Sequence, residues 1–325
     1  MPVSTSPLRL FVPLYASYAT VLALSLLILQ LRGIGISDKT WQTLAITVML
    51  AGTLGGAAHL FRSEAVRLAG LSASAFVAMA APLSLMSYAL ASLGAFFPLQ
   101  DGAFAAIDKA TGFDWLATIA AVNNWPVAVE ILKAGYHYTI AAVIYALVFL
   151  NVIKRADRVA EFFWAMMLTC VAANVLSAIL PAAGAYVWHA PSFEVRSAIS
   201  ADSGLWHMKH FEALRDGSFR MFDLASTEGL VTFPSYHTAM ALLIPLAMRG
   251  YGVITALAWV FAGVVVASTV PIGGHYLIDV VIGAGLALAC VRMLSGVGAN
   301  MPLSGLLGHG QPGAARASSQ TRQAG

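Results

Sequence analysis

Apolar runs of about 20 residues, the length an α-helix needs to cross the hydrocarbon layer of a bilayer, recur along the chain with short polar breaks between them. Eight such segments are expected, near residues 11–30, 41–60, 72–97, 128–150, 162–187, 231–248, 252–270 and 274–294. The pattern therefore predicts an all-α fold, a polytopic membrane helix bundle of about eight transmembrane helices. Two longer polar stretches interrupt it, at 98–127 and 188–230. The first segment is too long for a signal-peptide core, and Arg32, Gly33, Ile34 and Gly35 after it form no small-residue cleavage site, so it is expected to remain as a helix.

Composition agrees with this pattern. Hydrophobic residues make up 59% of the chain and charged residues 10%, against about 45–50% and about 25% in ordinary soluble domains. Basic residues refine the picture, because short cytoplasmic loops retain Lys and Arg. With both termini inside, the inner segments carry Arg9, Arg62, Arg67, Lys154, Arg155, Arg158, Arg249, Arg292, Arg316 and Arg322, and the outer ones carry Arg32, Lys39, Lys109, Arg196, Lys209, Arg215 and Arg220. A net charge of +3 placed this way suits anionic lipid surfaces and makes no case for nucleic acid. Cys170 and Cys290 both fall in apolar segments, far from any metal-like spacing, and read as packing residues. The tail at 299–325, rich in Gly, Ser, Gln, Ala and Arg, reads as disordered and cytoplasmic.

Chemistry concentrates in two short stretches, Phe233-Pro234-Ser235-Tyr236-His237 and Gly273-Gly274-His275-Tyr276-Leu277-Ile278-Asp279. His275 and Asp279, four residues apart, share one helix face, so the carboxylate can hold one ring nitrogen while the other addresses a substrate. Ionisable groups at such places in a membrane protein are functional by default. Pro234 and Ser235 look like a helix start, and Gly273-Gly274 allows a tight turn before His275. On the predicted topology both helix N-termini face the outer side, where unpaired N–H groups attract anions.

Pro234, Ser235 and His237, followed by Ser268, His275 and Asp279, match position by position the second and third signature motifs of the type 2 phosphatidic acid phosphatase superfamily, which the last third of the chain closely resembles. Tyr236 stands where many members have glycine, and Thr269 where the third-motif arginine would be. The first motif has no strict copy, and Lys209 with Arg215 is its nearest candidate. The missing arginine and the His-Tyr pair are more similar to the branch of inositol phosphorylceramide synthase and related inositolphosphotransferases, including its bacterial members. That resemblance implies a six-helix catalytic core within 71–298, preceded by N-terminal transmembrane helices at 1–70. It also implies an integral protein of a bacterial-type inner or plasma membrane with its site on the outer face.

A phosphate ester needs a nucleophile, a proton donor for the departing oxygen, and positive charge for the transition state. His275, held by Asp279, is the expected nucleophile and would form a phosphohistidine. His237 is the expected general acid and then base. Arg215 and Lys209 are expected to supply charge, with Ser235 and backbone N–H groups around Tyr236, Gly273 and Gly274 completing the substrate site. No metal or other cofactor is expected, since few acids besides Asp279 lie beside the apolar segments, chiefly Glu130 and Glu161. The partners implied are a phospholipid or sphingolipid substrate, the bilayer, and water or an alcohol such as inositol as acceptor.

Other polar clusters read more plainly. His207 and His210 are expected at the surface. Lys133, Tyr136, His137 and Tyr138 read as an interfacial belt with a snorkelling lysine. Gly112-Phe113-Asp114-Trp115 reads as an interfacial turn without chemistry. The 188–230 stretch leads straight into Pro234 and is expected to lie over the site as a lid or head-group reader. The competing function is a transporter with an intramembrane His/Asp proton or ion site, but its groups would spread toward the midplane in two related halves.

Overall fold

The computed structural model of the protein describes residues 7–296; the expected tail at 299–325 lies outside them. In chain order the elements are α1 (Pro7–Leu31), β1 (Gly35–Ile36), α2 (Asp38–Ala58), α3 (Glu64–Gly94), α4 (Asp101–Ala110), α5 (Trp115–Asn123), α6 (Pro126–His137) and α7 (Thr139–Val152). There follow α8 (Ala156–Ile179), α9 (Ala185–His189), α10 (Met208–Asp216), β2 (Met221–Phe222), α11 (Tyr236–Ala247), α12 (Val253–Thr269) and α13 (Leu277–Gly296). It is an all-α membrane bundle whose two strands form a single two-residue parallel bridge, Gly35 opposite Met221 and Ile36 opposite Phe222.

Each of the eight expected segments is largely helical, with informative differences at the ends. Four helices are individually long and apolar enough to cross a membrane: Leu10–Leu31, Glu64–Gly94, Ala156–Ile179 and Leu277–Ser295. The expected 128–150 helix is two, α6 and α7, with a break at Tyr138. The expected 162–187 helix ends at Ile179, because Pro181 and Gly184 (φ 110°) turn the chain into the short α9. The expected 231–248 helix begins only at Tyr236, and its 12 residues make about 18 Å of helix, short of the ~30 Å of hydrocarbon. The irregular residues Leu230, Val231 and Thr232 ahead of it line the cavity described below, the setting in which irregular backbone is tolerated in a membrane protein.

Packing centres on α3 and α8. Leu68, Leu71 and Ala75 of α3 share one core with Phe162, Phe163 and Met166 of α8 and Leu243 and Ile244 of α11, while α1 and α2 both pack against α3. At one end of this core the Arg249 guanidinium donates through Nη2 to both oxygens of Glu161 (2.8 and 2.9 Å), tying the end of α11 to the start of α8. Toward the opposite end a second core of Phe104, Trp115, Ile119, Phe233, Ile272 and Tyr276 underlies the two chemical stretches.

The 188–230 segment is stitched down rather than free. Gly35 N–H donates to the Arg220 carbonyl (2.8 Å) and Ser37 N–H to Phe222 (3.0 Å). Leu224 N–H donates to Thr40 Oγ1 (2.9 Å) and Glu228 N–H to the Tyr88 hydroxyl (2.9 Å). Tyr88 Oη is also hydrogen-bonded to His210 Nδ1 (2.6 Å), and His210 is partly buried and not at the surface as expected.

Candidate active site

The turn between α12 and α13 presents His275, and Asp279 lies one helical turn beyond it. Nδ1 of His275 is 3.2 Å from Oδ2 of Asp279, and the same oxygen accepts the Tyr276 N–H (2.9 Å). An ionised carboxylate only accepts, so Nδ1 donates to it and Nε2 is the ring nitrogen left over. Asp279 is fully buried and His275 4% exposed. The i,i+4 geometry read from spacing is therefore present.

His237, in the first turn of α11, lines the same cavity as His275, a space of ≈ 470 Å³ that also takes in Tyr236 and Gly273. Its ring is stacked on Tyr136 with centroids 4.0 Å apart, and Trp206 extends the stack on the far side of Tyr136 at 6.2 Å. Leu83, Ser84 and Ser87 of α3 and Cys170 and Asn174 of α8 form the opposite wall. Gly273 is required by closeness: a Cβ there would lie 2.6 Å from the Thr269 carbonyl and 3.0 Å from both His275 and Tyr136. Gly274 (φ 74°) lies against Gly204, where a Cβ would come within 2.8 Å of the facing backbone.

The remaining expected substrate residues fall elsewhere. Arg215 does not line the cavity. Its guanidinium donates to the carbonyls of Gly94 and Phe97 (both 3.0 Å), at the end of α3 and just past it. Lys209 is exposed and also outside the cavity lining. Ser235 is fully buried and caps α11, its Oγ accepting the Thr238 N–H (3.3 Å). Thr269 is turned inward and donates to the Val266 carbonyl (2.7 Å). Among the described residues that line the cavity, none is Lys or Arg, and Glu228 is the one carboxylate.

The two helix starts also differ from the symmetric pair of open ends anticipated above. At α13 the first N–H groups are taken by carboxylates, Tyr276 by Asp279 and then Leu277 (2.7 Å) and Ile278 (3.0 Å) by Asp108 of α4. At α11 the N–H groups of Tyr236 and His237 make no hydrogen bond among the described residues. Only this second end remains open to an anion.

Several site residues were missed from sequence. Tyr136 belongs to the cavity, although Lys133 beside it does behave as a peripheral lysine, pairing with Glu130 at 2.8 Å. His207 is buried, accepts no surface role, and lies 3.0 Å through Nε2 from the Ala183 carbonyl. Burial pushes its pKa down to about 4, which keeps it neutral at pH 7. The turn read as idle supplies Trp115, whose indole N–H donates to the His275 carbonyl (3.1 Å). Asp101, 4% exposed, accepts from Ala183 N–H, Gly184 N–H (both 2.8 Å) and the Tyr276 hydroxyl (2.9 Å). Asp101 and Asp108 stand seven apart, two turns on one face of an amphipathic helix, and that spacing was the available signal.

A family model described as the PAP2 superfamily matches residues 102–293. The chain belongs to the PAP2 superfamily. It is accordingly an integral membrane protein of the phosphatase or phosphotransferase kind, and the transporter alternative gives way to that enzyme class. No curated protein and no solved structure matches it. The matched stretch begins after α3, yet α3 supplies Leu83, Ser84 and Ser87 to the cavity, so this PAP2 site draws on chain outside the matched region.

Proposed function

We propose that the protein transfers a phosphoryl group from a lipid phosphate ester through a phosphohistidine on His275. The observation that carries this reading is the shared cavity of His237 and His275, with His275 Nδ1 committed to Asp279 and Nε2 free to react. Nε2 attacks phosphorus and the bond to the departing alkoxide breaks, while His237 donates the proton that the alkoxide takes up. In the second half His237 removes a proton from water or an acceptor alcohol, whose oxygen attacks phosphorus as the N–P bond breaks. Asp279 stabilises the imidazole in the reactive tautomer throughout.

Charge on the equatorial oxygens meets the open N–H groups of Tyr236 and His237 at the start of α11. This replaces the charge assigned earlier to Arg215 and Lys209. The substrate is a phospholipid or sphingolipid, the acceptor an alcohol such as inositol or water, and the site opens on the outer face of a bacterial-type membrane. The resemblance to inositolphosphotransferases supports transfer between alcohols.

The test is to incubate purified protein with phospholipids labelled in the phosphate, with and without inositol, and to follow both product and labelled protein. Wild-type protein is expected to carry label on His275, and His275→Ala to lose label and turnover together. His237→Ala is expected to label slowly at most. Persisting turnover in His275→Ala would sink the nucleophile assignment.

A further inference from the structure

A carboxylate near the start of its own helix has a competing use. Asp279 is the third residue of α13, the position from which an acidic side chain reaches back to cap its own helix start. It does so once, through the Tyr276 N–H, with the same oxygen that holds His275. Its other oxygen, Oδ1, is buried and has no hydrogen-bond partner among the described residues. The nearby N–H groups of Leu277 and Ile278 are the donors that oxygen would attract, and Asp108 takes both of them from α4.

We propose that Asp108 is a positioning residue that reserves Asp279 for His275 by occupying the two donors that would draw it away. The proposal rests on the His275 reading above. The bracket is built to hold still: Asp108 is 3% exposed, and Asp101 at the other end of α4 is fastened to Ala183, Gly184 and Tyr276. Trp115, just beyond α4, holds the carbonyl of His275 itself. With Asp108 gone, Leu277 and Ile278 turn to the Asp279 carboxylate, the His275 Nδ1 bond weakens, and the ring loses its preferred tautomer. A group that only glued α4 to α13 would act on stability and substrate affinity, not on Asp279.

The proposal is tested by a double-mutant cycle on the full-length purified protein, using Asp108→Asn and Asp279→Asn and reading the rate of phosphoenzyme formation from labelled phospholipid. Asp108→Asn is nearly isosteric and keeps one acceptor oxygen. It is expected to lower kcat by about tenfold with KM little changed. In the Asp279→Asn background the same change is expected to cost less than about twofold, because the group it acts through has been neutralised.

A substrate-independent readout is the rate at which diethyl pyrocarbonate modifies His275, located by peptide mapping. Asp108→Asn is expected to slow it as Asp279→Asn does, and Asp108→Glu to recover part of the loss. Equal losses in both backgrounds, a change confined to KM, or an unaltered His275 modification rate would each overturn the positioning role. If Asp279→Asn alone left the phosphoenzyme rate unchanged, the His275–Asp279 reading would fail instead.

Discussion

The starts of α11 and α13 lie against each other and carry one candidate histidine each, yet they are finished in opposite ways. At α13 the N–H groups of Tyr276, Leu277 and Ile278 are closed by carboxylates, and the histidine just before the helix is fixed by its ring, its carbonyl and its neighbours. At α11 one serine caps the helix, while two N–H groups and both ring nitrogens of His237 make no hydrogen bond among the described residues. A rigid end suits a nucleophile that must meet phosphorus in line. An open end suits a group that must give up a proton to one molecule and take it from another. One pairwise geometry thus divides holding from exchanging.

The contrast is broken most severely at the crossing of the two ends. A Cβ on Gly283 of α13 would lie 2.3 Å from the carbonyl oxygen of Ser235, closer than atoms can approach. Gly283→Ala is therefore expected to push the helix starts apart, costing about 1–3 kcal/mol of stability and most of the phosphoryl-transfer rate. Thermal unfolding in detergent and the labelled-phospholipid assay check both, and wild-type activity would show that the two starts need not touch. A smaller effect is expected at the open end alone. Ser235→Ala removes the cap at about 1 kcal/mol, and a several-fold slower second half-reaction, read as longer-lived labelled protein, would place the damage at His237. Smallest is Arg215→Ala, outside both ends: under about 1 kcal/mol is lost from the end of α3, with KM unchanged. A large rise in KM would restore Arg215 to the substrate site.

What could be read from the chain depended on sequence distance. His275 and Asp279 are four residues apart, and their bond follows from helix geometry alone. His237 and Gly273 were legible from the local turn and helix-start chemistry around them. Asp108 meets Leu277 across 169 residues and Trp115 meets His275 across 160, contacts that no local spacing encodes. Arg215 shows the converse error. A cation in a polar stretch looked free for phosphate, whereas the α3 carbonyls that claim it lie 118 to 121 residues earlier. The apolar runs disclosed all eight segments but not their ends, since the apolar character continues across the breaks at Tyr138, Pro181 and before Tyr236.

The short parallel bridge between Gly35–Ile36 and Met221–Phe222 bears on traffic. It couples the N-terminal hairpin to the chain just ahead of α11, and Thr40 and Tyr88 add further stitches on the same side. The opening over the histidines is consequently a doorway with a built frame, whose jambs are α3 and the stitched segment. On the phosphoryl-transfer reading proposed above, a lipid head group would pass through that frame while its tails stayed in the bilayer, and the N-terminal hairpin, remote from the chemistry in sequence, would hold one jamb in place through Gly35, Ser37 and Thr40.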